Sequence, residues 1–298
     1  MKRLSLFLLA GLVSLTAVAP AARAEDKKIR IILVDGQNNH NWRVTTPWLK
    51  KVLEDCGRFT VDVTSNLKQG DKPGNIENTV PFPPDLTKYD VLLSNYNGAP
   101  WPKEFQKAVE EGVANAKLAL VIVHAANNAF GGWAEYYDMI GMGWQAKGFG
   151  DRVKYESDGK EVRVPKGEGD GSGHRYTGPF TVTLRDREHP ITKDMPAEWL
   201  HARDELYDNM RGPIKNVKML ATAFSKGTNT HEPMIWTISY GKGRVFHTPM
   251  GHDLNAMRCV GFIATLQRGT EWAATDKVTV PLPKDFPTAA KESVRPEK

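Results

Sequence analysis

The chain has 298 residues, of which 40% are hydrophobic and 25% charged, and a formal net charge of +5. That balance suits an ordinary α/β domain of roughly 200–250 residues and excludes low-complexity or collagen-like chains. The cations are scattered among acids, with no basic stripe interleaved with aromatics, which argues against nucleic acid as a partner.

Residues 1–24 read as a secretory leader: a positive start (MKR), an apolar run from Leu4 to Val18, and Ala22-Arg23-Ala24 as a cleavage pattern. Cleavage after Ala24 would remove Lys2, Arg3 and Arg23 and no acid, lowering the charge from +5 to +2. The expectation is an exported protein, periplasmic or secreted. The run is short for a bilayer span and no later segment is longer, so no stable membrane insertion is expected after cleavage. In an oxidising compartment Cys56 and Cys259 either pair or stay as two packed thiols, and both alternatives stand.

The mature domain, 25–274, begins with a strand at 28–34 (KIRIILV) and the loop DGQNNHNW. A helix follows over 44–55, with Trp48, Leu49, Val52 and Leu53 on one face and Gly57 at its end. Alternation predicts a strand at 59–64, a polar Pro/Gly loop fills 66–87, and a third strand spans 89–94 before NYNG. A helix over 103–116 leads to the apolar strand 118–123, and a short helix occupies 133–140. Residues 141–200 are glycine-rich and break the rhythm, so they read as an insertion near the active face. Strands return at 217–223, 233–240 and 243–248, the last two joined as a hairpin through Tyr240-Gly-Lys-Gly243. A final helix covers 255–273, and the Pro-rich tail, 275–298, is a surface strap or disordered. No internal repeat is evident. Strand–helix alternation predicts a flavodoxin-like, doubly wound, mostly parallel sheet carrying that insertion.

Ligands of such sheets bind outside the carboxyl ends of the strands. The loops arriving there carry Asn38, Asn39, His40, Asn41 and Trp42, then Asn95 and Asn97, then His124, Asn127 and Asn128, then His247, His252 and Asp253. Each has a structural alternative: a hydrogen-bonded core histidine, a turn-forming asparagine or a core tryptophan. His174, His201 and His231 read as solvated surface. Nucleophilic catalysis is poorly supported, because G-x-S-x-G is absent and both cysteines fall on predicted helices. The first loop lacks the dinucleotide-binding G-x-G-x-x-G. No local metal motif occurs, but distant imidazoles and a carboxylate suit zinc and similar ions. Histidine acid/base chemistry fits these residue types best, since imidazole titrates near neutrality. The amides and rings suit a neutral, hydroxyl-rich ligand.

Several pieces taken together resemble the ThuA-like (trehalose utilisation) family: the DGQNNHNW loop, LVIVHAANNAF, EHPIT at 188–192, DELY at 204–207, YGKGRVFHTPMGHD at 240–253 and the helix ending GTEWAA. The resemblance implies a class I glutamine amidotransferase-like fold. It also implies loss of the glutaminase nucleophile, since His124-Ala125-Ala126 stands where that family places a cysteine. It implies activity on a sugar or an oxidised (3-keto) glycoside, as a lyase, hydrolase or isomerase. His40, His124, Glu205 and His252 become candidates for a metal-ligand or acid/base set, with His124, His252 and Glu205 as the catalytic expectation. Glu205 enters only through this resemblance; by itself ARDELYDN reads as a solvated face or a salt bridge. Asn39, Trp42, Asn97, Asn128 and Trp133 are expected to hold the ligand. The alternative is a carbohydrate-binding protein without catalysis. Nothing in the sequence sets the sugar, the metal or the oligomeric state.

Overall fold

The computed structural model describes residues 27–77 and 79–296, so the expected leader lies outside the described residues. Strand β1 (Ile29–Asp35) runs into helix α1 (Trp42–Asp55), then β2 (Phe59–Ser65), the short β3 (Thr79–Val80) and β4 (Val91–Ser94). Helix α2 (Lys103–Ala114) leads to β5 (Ala119–Val123), a 3-10 turn over His124–Asn128 and α3 (Ala134–Ile140). A ribbon of β6 (Arg152–Tyr155) and β7 (Glu161–Val164) follows. Next come the long β8 (Gly173–Leu184), β9 (Glu198–Asp208), β10 (Val217–Ser225), β11 (Thr230–Tyr240) and β12 (Gly243–Thr248). Helices α4 (Leu254–Met257) and α5 (Val260–Thr275) close the domain.

One sheet runs in the order β3-β2-β1-β4-β5-β12-β11-β10-β8-β9. From β3 to β12 all neighbours are parallel, which is the expected doubly wound half. Beyond β12 the neighbours are antiparallel, and the predicted hairpin pairs Tyr240 with Gly243. Alternate residues of β1 serve opposite cores, as strand geometry requires. Ile31 and Leu33 pack with Leu49 and Leu53 of α1 and Phe262 and Leu266 of α5. Ile32 and Val34 pack with Phe105 and Val109 of α2 and Tyr136 and Ile140 of α3. A parallel sheet covered on both faces explains why these strands read as near-continuous apolar runs.

Two sequence expectations change in detail, and two open alternatives are decided. The glycine-rich stretch does not leave the sheet: β8 and β9 extend it, and only β6 and β7 form a side ribbon off β11. The last helix is split at Cys259, which caps the start of α5. The tail through residue 296 is a strap: Val260 N–H donates to Ser293, Leu200 N–H to Thr288, and Glu271 accepts from Thr279 and Val280 N–H. Cys56 and Cys259 are both free thiols, so the unpaired alternative holds.

Strand β9, though at the sheet's end, touches β11, α4 and α5. The antiparallel half therefore curls back toward the carboxyl edge of the parallel half, which brings a distant strand to the site.

Asp35 ends β1 fully buried, accepting the Ser65 hydroxyl at 2.5 Å. Burial pushes its pKa up to about 6, more than the Ser65 and Thr46 hydroxyls pull it down. An acid whose folded pKa is raised holds its proton longer when folded, so its contribution is greatest at acid pH and fades as pH rises toward 6 and beyond. Asp35→Asn should therefore gain on the native chain by about 2.4 kcal/mol between pH 4 and pH 7.5. Urea unfolding at the two pH values measures it; an unchanged gap would show that Asp35 titrates normally.

Candidate functional site

His40, His124, Glu205 and His252 converge. Each offers one ligand atom, and the four atoms lie within 4.8 Å of one another. The ring centroids of His40 and His124 are 4.7 Å apart, those of His40 and His252 4.5 Å, and those of His124 and His252 5.5 Å.

Local structure delivers each group. Gly36, at φ +107°, turns the chain off β1 where a Cβ would strike the Asn66 backbone at 2.7 Å, and the loop then fixes His40 by its N–H to Asn38 Oδ1 at 3.0 Å. His124 starts the turn after β5 at φ +46°, a left-handed conformation that side chains other than glycine and asparagine seldom adopt. Its Nδ1 lies 2.6 Å from the Pro249 carbonyl, which can only accept, so Nδ1 carries the proton and Nε2 presents its lone pair. That Nε2 takes the Tyr207 hydroxyl at 3.0 Å and lies 3.7 Å from Glu205 Oε2. Gly251, at φ +105°, aims the next residue, His252, whose Nδ1 lies 3.1 Å from Glu205 Oε2.

Asp204 braces this arrangement. It is buried and accepts from the N–H groups of Gly251, His252 and Glu205 and from His201 Nε2 at 2.9 Å. Neighbours on a strand point to opposite faces, so the Asp-Glu pair does two jobs: Glu205 faces the imidazoles and Asp204 holds their loop. Burial opposes a charge on His201, but Cys259 and Asp204 overcome it and raise its pKa to about 10.

Burial, helped by the neighbouring imidazoles, lowers the His40 pKa to about 4. Burial likewise lowers that of His124. The hydrogen bond that His252 donates to the Glu205 carboxylate raises the pKa of His252. Burial would lift the Glu205 carboxyl, but His252, His124 and His174 more than offset it and keep it ionised.

The other expected residues divide. Asn97 donates to Asn39 Oδ1 at 2.7 Å, and Asn39 Nδ2 lies 3.1 Å from His40 Nε2, so both stand at the rim. The Asn128 amide bonds the Tyr207 hydroxyl. Trp42 and Trp133 do not join them. Trp42 is buried in the first turn of α1 with the Arg43 guanidinium over its ring. Trp133 is buried among Trp101, Phe130 and Tyr136, its indole N–H donating to Glu110. Both are structural, because an aromatic ring near a strand end packs beneath the loops as readily as above them. His247 also turns inward, bonded to Ile140 O and Asn127 with burial holding its pKa at about 3. His201 is fully buried, contrary to the surface expectation.

Two groups were not expected at the site: His174, which reads as solvated surface, and Trp144, which the sequence does not single out. His174 on β8 places Nδ1 3.6 Å from Glu205 Oε1, the carboxylate oxygen that the other imidazoles leave free. Trp144 lies 4.6 Å from the Tyr207 ring and 5.6 Å from His174, centroid to centroid. The pairing of β8 with β9, Thr177 opposite Glu205, brings His174 here, and the bridge of Gly143 with Arg211 brings Trp144.

A family profile described as trehalose utilisation, ThuA, matches residues 30–273. The chain belongs to the ThuA family. A protein of Parabacteroides merdae described as ThuA-like is 40% identical, superposes with a TM-score of 0.82, and is matched over 90% of this chain and 98% of its own. A second ThuA-like structure, from Bacteroides uniformis, shares the fold at 19% identity and TM-score 0.55, over 88% and 97% of the two chains. Among curated proteins nothing matches significantly. The doubly wound parallel half expected from the family resemblance is observed from β3 to β12. In this ThuA protein the strand–turn position after β5 holds His124, bonded on both nitrogens.

The donor set fits a divalent metal. It comprises three imidazoles and an ionised carboxylate, and the carbonyl that fixes the His124 tautomer is the kind of partner metal-bound histidines have.

Proposed function

We propose that this ThuA-family protein is an exported enzyme acting on a sugar or oxidised (3-keto) glycoside through the His40–His124–Glu205–His252 cluster. The convergence of these four donors from loops after β1, β5 and β12 and from β9 carries the reading. Export rests on the leader pattern of residues 1–24.

The same residues serve two forms. Holding a divalent ion such as zinc, all four act as ligands. A metal there would polarise a sugar oxygen as a Lewis acid. Free of metal, Glu205 draws on the Nδ1 proton of His252 and makes its other nitrogen the stronger base, while His124 stays neutral and fixed. Without metal Tyr207 holds His124 in place, and a metal on His124 Nε2 would displace that hydroxyl; in both forms the Pro249 carbonyl fixes His124 and Asp204 holds the loop of His252.

Elemental analysis of the purified mature protein tests this reading; one zinc per chain is expected. Product analysis with methyl 3-ketoglucoside and trehalose separates the enzyme from a carbohydrate-binding protein, for which sugar would bind and emerge unchanged.

Metal uptake should weaken as pH falls, because protons compete for the imidazoles and reach His252, whose pKa is raised, first. Zinc titrations across pH 5–8 should show affinity falling toward the acid end. A flat profile would exclude imidazole ligation.

A further inference from the structure

We infer that Trp144, His174 and Asn128 form a sugar-ring subsite beside the donor cluster, built to take a neutral pyranoside and to reject a phosphorylated one. The inference deepens the proposed function and rests on it for the class of ligand, but its residues are separate from the four donors.

Trp144 is only partly buried, and its ring adjoins both Tyr207 and His174. An indole with an open face suits the C–H side of a pyranose. The His174 side chain is 44% exposed, and its 3.6 Å separation from Glu205 is beyond hydrogen-bond length. The ring thus keeps its donor and acceptor for an incoming hydroxyl, whereas His124 is bonded on both nitrogens and His40 Nε2 is held by Asn39. The Asn128 Oδ1 atom is buried and has no hydrogen-bond partner. A buried acceptor left unpaired costs about 1–3 kcal/mol, and a sugar hydroxyl would satisfy it.

The glycine-rich excursion carrying this wall is held firmly. Arg211, fully buried, donates to the carbonyls of Asp170, Glu168 and Pro165. Ser172 and Gln145 exchange N–H bonds, Ser172 Oγ reaches Asn209 O at 3.0 Å, and Gly143 pairs with Arg211. Six residues before Gly173 thus follow a carbonyl-lined path around one guanidinium, which fixes where His174 emerges.

Charge selects the ligand. The wall presents an indole, an imidazole and an amide beside the Glu205 carboxylate. The nearest guanidinium along the chain, Arg175, is already paired with Asp208 and Asp170. A phosphate brought here would meet a carboxylate and no free cation from these residues.

Titration calorimetry on the zinc-treated mature protein tests the inference, with trehalose and methyl 3-ketoglucoside as neutral probes and trehalose 6-phosphate as the anionic one. At least one neutral probe should bind, and the phosphate should bind at least tenfold more weakly. Trp144→Ala and His174→Ala should each weaken neutral binding tenfold or more with zinc content unchanged, and Trp144→Phe should recover part of the loss. Native-like affinity in both alanine variants, equal affinity for the phosphate, or no binding of either neutral probe overturns the subsite. A chain that takes up no zinc yet binds sugar through Trp144 and His174 would instead remove the metal reading and leave the subsite standing.

Discussion

Alanine at His124 is expected to leave the fold intact, weaken metal binding and lower turnover on the order of 10²–10⁴-fold. The ring is fixed on both nitrogens, its Nε2 faces Glu205 at 3.7 Å, and its centroid is 4.7 Å from that of His40. Removing it leaves two imidazoles and a carboxylate, one donor short of a closed set. The left-handed backbone at φ +46° adds a strain of about 1–2 kcal/mol for alanine. His124→Asn, which tolerates that conformation, is therefore the better control. Circular dichroism, zinc content and product formation together decide the outcome. A variant that kept both its zinc and its activity would show that His124 belongs to the frame and not to the chemistry.

Alanine at His201 should be the most destabilising single change near the site, at about 3–5 kcal/mol. Asp204 is buried and ionised, and among the described residues His201 is its one charged partner within hydrogen-bond reach, at 2.9 Å. Breaking such a pair leaves an uncompensated carboxylate in the interior, beside the N–H groups of Gly251 and His252 that it still orders. For a domain of this size that corresponds to a melting temperature lower by about 10 °C. His252 should lose its position as well, so zinc affinity should fall although His201 touches no ligand directly. A variant that melts like the native chain would mean that the backbone N–H groups alone suffice for Asp204.

Much of the parallel half could be read from the chain because its strands are buried on both faces and its helices carry one apolar stripe. Residues 28–34, 118–123 and the 44–55 face with Trp48, Leu49, Val52 and Leu53 all reappear as β1, β5 and α1. Once β1, β5 and β12 were placed, the carboxyl-edge rule brought His40, His124 and His252 together. Glu205 was different: nothing local in ARDELYDN distinguishes it from a solvated acid, and only the family resemblance singled it out. Its arrival depends on a curl of the antiparallel half that no short pattern encodes. The same curl hid His174 and Trp144. Trp42 and Trp133 were misread, and His247 was left open, for a related reason: a side chain at a strand end can point up into the cleft or down into the core, and the sequence carries no sign of which.

The strap over α5 makes the end of the chain part of the folded body. Glu271, fully buried, is neutralised by Arg58 and by N–H groups of Thr279 and Val280, and Arg268 donates to the Val280 carbonyl. A polypeptide ending at Thr275 would leave the buried Glu271 with Arg58 but without its two backbone donors, and would take one of the carbonyls that Arg268 holds. Shortened versions made for crystallisation should therefore stop beyond residue 296, and fusion partners belong at the other terminus.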